Sequence, residues 1–348
     1  MTKKGVTIRQ IAREADVSPT TVSRVINNDY SSVATSTRER ILEIVARYDY
    51  RPGERRQAQA DMLQKLVGVV LPNSEPFFID VAVKVGDVLH ELGFEILLRW
   101  SRDDFAMEQS NIERILEAGV QGILYMSTAA SPRDCYAMLN EHHIPYVVLD
   151  SYLQEHNVPA AVCVDGAKGM YDITNYLIEN GHRDIAYISG ISYDTFNHNR
   201  YLGYSKALLE AGIAVDPKVI KFGSFTFDSG RACMHALLES EKAFTAVVCE
   251  NDIIAAGALD AMRELGVTVP DEISITGFDN SLVAEITTPK LTSVEQPLSD
   301  IARKAVELLF AQVNNQEIEN RIIAYTPRIV VRNSVINLAS KPTSKKEK

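Results

Sequence analysis

The run TIRQIAREADVSPTTVSRVINN (residues 7–28) carries Thr20, Thr21, Ser23, Arg24 and Asn27 on one side of a short helix, with Val22 and Val25 on the other. Hydroxyls, an amide and a guanidinium are the groups that suit phosphate oxygens and base edges. The local signals around them agree. Thr7 is placed to cap a first helix, Ala12 is small where two helices must approach, and Asp16-Val17-Ser18 makes a tight turn. Ser18 then caps the second helix, and Pro19 takes its first position, where a missing N–H costs nothing. A small helical bundle with a merely solvated face is the competing reading, and the concerted placement of cap, turn and small residue opposes it.

Three apolar runs at helical spacing must hold that face: Ile8, Ile11, Ala12 and Ala15; Val22, Val25 and Ile26; and Ile41, Leu42, Ile44, Val45 and Tyr48. The third helix is expected to open with a capping box, Ser36 capping and Glu39 reaching back. Arg51-Pro52-Gly53 ends the unit, and a polar linker follows. From residue 66 short Val/Ile/Leu runs alternate with helical stretches, from LVGVVLP (66–72) to ISITGFD (273–279). Strands of that composition are buried on both faces, and their alternation with helices implies parallel sheets. The expected class is α/β: a helix-turn-helix headpiece (1–52), a hinge (53–65), and two doubly wound subdomains. The first subdomain is assigned 66–163 plus 293–335, the second 164–292, and a polar tail, 336–348, is expected to be disordered.

Charge sets the first 65 residues apart, with 12 Lys and Arg against 8 Asp and Glu, on a chain whose net charge is −10. A basic head on an acidic body fits contact with a polyanion at one end. The four cysteines lack metal-ligand or C-x-x-C spacing and read as small buried apolar residues. No apolar run suggests a membrane span or secretory signal, so no membrane partner and cytoplasmic residence are expected. No G-x-G-x-x-G follows a strand, no G-x-x-x-x-G-K-[ST] occurs, and no Ser/His/Asp set has a recognisable context, which argues against an enzyme and against a cofactor.

The headpiece run, with TRERILEIVARYDYRP after it, resembles the lactose and galactose repressor (LacI/GalR) family. So does the body, through EPFF (75–78), GVQGIL (119–124), ENGHRDIAYISG (179–190), RYLGY (200–204), END (250–252), PDEISITGFDN (270–280) and LTSVEQP (291–297). The resemblance implies a transcriptional repressor on a near-palindromic operator. Pro19, Thr20 and Arg24 match positions near base edges; Ser18, Thr21, Ser23 and Asn27 match phosphate contacts, and Thr7 joins the DNA-facing set. The hinge departs from the family. Gln59 stands seven residues after Pro52, where relatives carry a Leu wedge, and Arg56 replaces a small residue. Arg55, Arg56 and Gln59 remain the expected hinge contacts, with either Met62 or Leu63 as the wedge or a weaker bend.

For the body, the resemblance implies an effector held between the subdomains by Phe77, Phe78, Ser127, Asp150, Arg200, Phe225, Asn251, Asp279 and Gln296. Paired polar groups and aromatic faces suit a polyhydroxylated ring. Arg200, beside His198 and Asn199, brings a sugar acid into view alongside a neutral sugar. A homodimer is expected, since the tail lacks a leucine heptad that would make a tetramer. An exported sugar-binding protein shares the body but would need neither the basic head nor a chain start without a signal peptide.

Overall fold

In the computed structural model the described residues are 7–26, 29–30, 33–48, 50, 65–127, 132–149, 158–190, 198–240 and 242–338. Two compact units, Met1–Gln64 and Lys65–Lys348, divide the chain.

In the first unit, α1 (Ile8–Glu14), α2 (Pro19–Ile26) and α3 (Thr35–Arg47) surround Ile11, Ala12, Ala15, Val22, Val25, Ile41 and Ile44, all buried. Thr7 caps α1 in a complete capping box with Gln10. Asp16 adopts φ 51°, the left-handed turn that a short polar side chain tolerates. Ser18 Oγ accepts from Thr21 N at 3.1 Å at the start of α2. The expected Ser36 cap is corrected: α3 begins at Thr35, two residues earlier than a Ser36 cap would have it, and its N-cap, Ala34, makes no side-chain cap bond. The apolar spacing of Ile41 and Ile44 sets the helix, and its start overrides the local capping signal.

The second unit holds two six-stranded sheets. The first contains β1 (Leu66–Leu71), β2 (Glu95–Trp100), β3 (Ile123–Tyr125), β4 (Tyr146–Leu149), β5 (Ala161–Val164) and β11 (Ile322–Tyr325), in the order β11-β5-β4-β3-β1-β2, all parallel. Helices α4 (Pro76–Glu91) and α12 (Leu298–Val313) cover one face, and α5 (Phe105–Glu117) and α6 (Pro132–Glu141) the other. The second sheet contains β6 (Ile185–Ser189), β7 (Ile220–Phe222), β8 (Ala246–Cys249), β9 (Ser274–Asp279), β10 (Thr292–Glu295) and β12 (Arg328–Val330), in the order β12-β10-β9-β8-β6-β7, with only β12 antiparallel. Around it lie α7 (Gly166–Glu179), α8 (His198–Glu210), α9 (Phe227–Leu238), α10 (Asp252–Glu264) and the short α11 (Leu282–Ile286). β1, β6 and β9 are buried almost continuously, on mostly apolar residues with Ser189, Ser274 and Thr276 among them.

Two expected boundaries are corrected. Residues 293–335 do not all join the first subdomain: β10 and β12 pair in the second sheet, and only α12 and β11 return to the first. The chain therefore passes between the halves three times, at 164–166, 295–298 and 325–328. Late strands extend sheet edges, and sequence order does not say which edge. The tail likewise starts later than 336. Ile336 donates to Ser274 Oγ at 3.0 Å and Leu338 to the Asn180 carbonyl at 2.8 Å. None of the four cysteines forms a disulfide; three are buried and Cys163 is half-buried.

Candidate functional site

On the first unit, Ser18, Pro19, Thr20 and Arg24 are exposed on α2, with Thr21 and Ser23 half-buried beside them. Val22 and Val25 turn inward and anchor the helix, so its polar side is presented as a rigid strip. Ser18 and Thr21 hydroxyls lie 2.9 Å apart, and Arg24 Nε stands 4.0 Å from Asp29 Oδ2. Such an exposed pair is weak, about 0–1 kcal/mol, so the guanidinium can exchange it for a base edge. Thr7 spends its hydroxyl on the cap of α1. Asn27, Arg55, Arg56 and Gln59 lie outside the described residues, as do Met62 and Leu63.

On the second unit, the strand orders mark a candidate ligand crevice. Connections from β1 and β3 leave the first sheet in opposite directions, and those from β6 and β8 do the same in the second. In open α/β sheets ligands bind beyond the carboxyl ends of strands at these switch points. Beyond β1 stand Asn73, Glu75 and Phe77; beyond β3, Ser127; beyond β6, Gly190; and beyond β8, Glu250 and Asn251. A cavity of about 560 Å3 joins Phe77 of the first half to Asp279 of the second, along Gln296, Pro297 and Thr326 of the chain crossings.

Arg200 organises the second wall. Its Nη1 donates to the Glu250 carbonyl at 2.7 Å, its Nη2 lies 3.9 Å from Asp279 Oδ1, and its guanidinium stacks 4.0 Å over the Phe278 ring. Its stem packs against Gly166, where a Cβ would meet the Arg200 Cγ at 3.3 Å. Asp279 adopts φ 98° and Asn280 φ 50°, conformations costing about 1–3 kcal/mol that persist only where neighbours enforce them. Asn280 supplies the enforcement, donating to Ser293 Oγ and Glu295 Oε1 at 3.1 Å each and accepting from Arg332 Nη2 at 2.6 Å. Asp279 then accepts from Gln296 Nε2 at 2.7 Å. Gln296 is 3 % exposed, and its Oε1 has no hydrogen-bond partner.

Beneath this wall lie two buried acids. Glu250 accepts from Ser189 Oγ at 2.5 Å and Gly190 N at 2.6 Å, and burial raises its pKa. Asp252 accepts from Ser281 N, Ser281 Oγ and Ser293 Oγ at 2.7, 3.0 and 2.6 Å, tying α10 to the loop after β9; burial pushes it up to about 6 despite those donors. On the first wall, Ser127 donates to Glu108 Oε1 at 3.3 Å, and Tyr125 donates to the same buried carboxylate.

The expected effector residues are thus gathered unevenly. Phe77, Arg200, Asp279 and Gln296 converge on the crevice, and Phe78 meets Phe77 edge-on, with ring centroids 5.3 Å apart. Phe225 lies over Gly190, where a Cβ would sit 2.3 Å from its ring. Asn251 is buried, and its Oδ1 caps α10 through Ile254 N at 2.8 Å. Asp150 and the His198 side chain lie outside the described residues. Glu75, Asn73 and Glu250 were missed. Two of them stand inside the quoted EPFF and END runs, where a carboxylate beside a strand end was the available signal. Among the described residues no His/Cys/Asp/Glu group is arranged to hold a metal, and no helix is long and apolar enough to cross a membrane.

A helix-turn-helix unit and a two-lobed body with a polar crevice define a DNA-binding regulator controlled by a small ligand. Residues 7–53 match the model of bacterial regulatory proteins of the lacI family, and residues 174–335 match the periplasmic binding protein-like domain. The chain is 33 % identical over 332 residues to the HTH-type transcriptional regulator RegA of Clostridium saccharobutylicum, covering 94 % of this chain and 99 % of that one. It is also 33 % identical over 331 residues to catabolite control protein A of Priestia megaterium, with the same coverages. A solved complex of the transcriptional regulator CelR with cellobiose superimposes with a TM-score of 0.71 at 32 % identity, covering 94 % of this chain and 99 % of that one. The chain belongs to the lacI family, as a DNA-binding transcriptional regulator with an effector-binding body, and is not an enzyme.

Proposed function

We propose that the protein is a homodimeric repressor, acting in the cytoplasm, whose affinity for a near-palindromic operator is set by a sugar bound in the crevice between the two halves of the body. The carrying observation is the Arg200–Asp279–Gln296 cluster at the switch points, where a buried amide oxygen still lacks a donor. A sugar hydroxyl supplies that donor, while Phe77 and Phe225 offer apolar faces to its C–H side. The solved CelR–cellobiose complex supports a sugar as the ligand class.

Pro19, Thr20 and Arg24 lie against base edges, and Ser18, Thr21, Ser23 and Asn27 fix the register of α2 on the phosphates. A two-fold operator calls for two heads, and a second copy has apolar surface to cover. Ile79 and Val83 on α4, and Leu282 and Ile286 on α11, form one-turn pairs left 36–69 % exposed.

A gel shift on the protein's own upstream DNA, with and without cellobiose and a panel of related sugars, tests head and body together. A sequence-specific shift that a sugar changes is the expected outcome. Binding that ignores every sugar, or that matches unrelated DNA, overturns the reading.

A further inference from the structure

Glu75 occupies the N-cap position of α4, yet its side chain caps nothing. It shares one donor with a second acid: Asn73 Nδ2 lies 3.3 Å from Glu75 Oε1 and 3.0 Å from Asp103 Oδ2. The other end of the same amide is also engaged, Asn73 Oδ1 accepting from Glu75 N at 2.9 Å. Burial and the Asp103 charge push the Glu75 carboxyl up to about 7, against the pull of Asn73 and of Arg200 from the opposite half.

Arg200 is the cation that faces this pair, and the sequence alone makes it look ready for a carboxylate ligand. The geometry engages it instead. It donates to the Glu250 carbonyl, stands beside Asp279, stacks on Phe278 and faces the buried Glu250 carboxyl. The second, independent sign is the missing donor at Gln296 Oε1, in a side chain only 3 % exposed. Negative charge is in surplus in the cavity, where Asp80, Asp279, Glu295 and Asp300 stand against Lys84 and Arg328. A ligand carboxylate would add to the surplus, because like charges that share a poorly hydrated site repel strongly. Hydroxyls or an amine would relieve it.

We propose that Glu75 is a specificity-determining residue of the crevice, and that it restricts the effector to neutral or amine-bearing sugars by excluding sugar acids. This rests on the crevice being the effector site. Glu75 acts from the first half of the body, and Arg200, held by Glu250, Asp279 and Phe278, stays on the second.

Calorimetric titration of the full-length protein with matched sets on one scaffold provides the test: glucose, glucosamine and glucuronate, then galactose, galactosamine and galacturonate. At about pH 8.5, where a carboxyl of pKa about 7 is ionised, the wild type is expected to bind each acid about tenfold more weakly than the tightest member of its set, and the ratio should shrink at about pH 6, where Glu75 takes a proton. Glu75→Gln is expected to narrow that ratio by a similar factor. An acid that binds as tightly as its neutral partner, or a ratio that Glu75→Gln leaves unchanged, overturns the proposal. Asp279→Ala separates the two claims. If it leaves all binding intact, the crevice is not the effector site; if it abolishes binding while the ratio ignores Glu75→Gln, only the role of Glu75 fails. A readout independent of the sugar is carbon-13 NMR of the Glu75 carboxyl in the free protein, assigned with Glu75→Gln. A midpoint near 7 that falls in Asp103→Asn supports the acid pair, and an ordinary glutamate midpoint overturns it even if no sugar of either set binds.

Discussion

Gln296 and Asp279 are joined by a 2.7 Å hydrogen bond in which Gln296 uses its amide nitrogen and keeps its buried oxygen without a donor. An unsatisfied buried acceptor costs about 1–3 kcal/mol, so a ligand that satisfies it recovers that cost on binding.

Removing the carboxylate side of this pair should therefore weaken the ligand most. Asp279→Ala is expected to raise the effector Kd roughly ten- to hundredfold, from the loss of about 1.5–3 kcal/mol in hydrogen bonds to a charged group. The effector concentration that half-changes operator affinity should rise by the same factor, since binding and DNA affinity are linked. Calorimetry beside a gel shift measures both, and a change in only one of them counts against the linkage.

On the function proposed above, Arg24 reads base identity from α2. Arg24→Ala should cost about 1–3 kcal/mol of specific operator binding, the range for a bidentate contact with one base. Affinity for unrelated DNA should fall much less at the same salt. Equal losses on both DNAs would make Arg24 a phosphate contact.

The raised carboxyls of Asp252 and Glu75 set a sign for stability against pH. Their folded pKa values, about 6 and about 7, lie above the ordinary 3.8 and 4.5, so the folded state holds these protons more tightly than the unfolded chain. Their contribution is most favourable at low pH, is lost between pH 3.8 and 6 for Asp252 and between 4.5 and 7 for Glu75, and is flat above that. Urea midpoints should show a smaller loss from pH 5 to pH 8 in Glu75→Gln than in the wild type. A loss of equal size would place the Glu75 pKa in the ordinary range.

The capping box of Thr7 and Gln10 predicts a local effect. Thr7→Ala should loosen the first turn of α1 by about 1 kcal/mol. Amide exchange at Gln10 and Ile11, followed in the full chain, should speed up about fivefold. Unchanged exchange would mean that packing of Ile11 alone holds the turn.

Much of this molecule is legible in its sequence because the signals are local. The caps at Thr7 and Ser18, the turn at Asp16 and the inward Val22 and Val25 each follow from neighbours within four residues. The strand runs are equally plain, since burial on both faces demands unbroken apolar stretches. What the sequence hides is set by distant partners. Nothing near Ser293 says that β10 lies in the second sheet, because an edge is chosen by what it pairs with. Glu75 reads as an ordinary loop acid until Asp103, 28 positions away, is placed against the same amide. Asn251 looks free to meet a ligand until the start of α10 claims its oxygen.

The three passages between the halves of the body act together as one axle. Arg200 rests on Gly166 at the first, Gln296 belongs to the second, and Arg328, just after the third, pairs with Glu295 beside the second. Any swing of one half relative to the other must bend all three segments at once. On the function proposed above, a ligand in the crevice would push close to these crossings. A displacement of a fraction of an ångström at Gln296 becomes a much larger sweep at the far ends of the lobes, as with a door pressed near its hinge. Two prolines, Pro297 and Pro327, stiffen that axle, and replacing them would let the lobes wobble without transmitting the push.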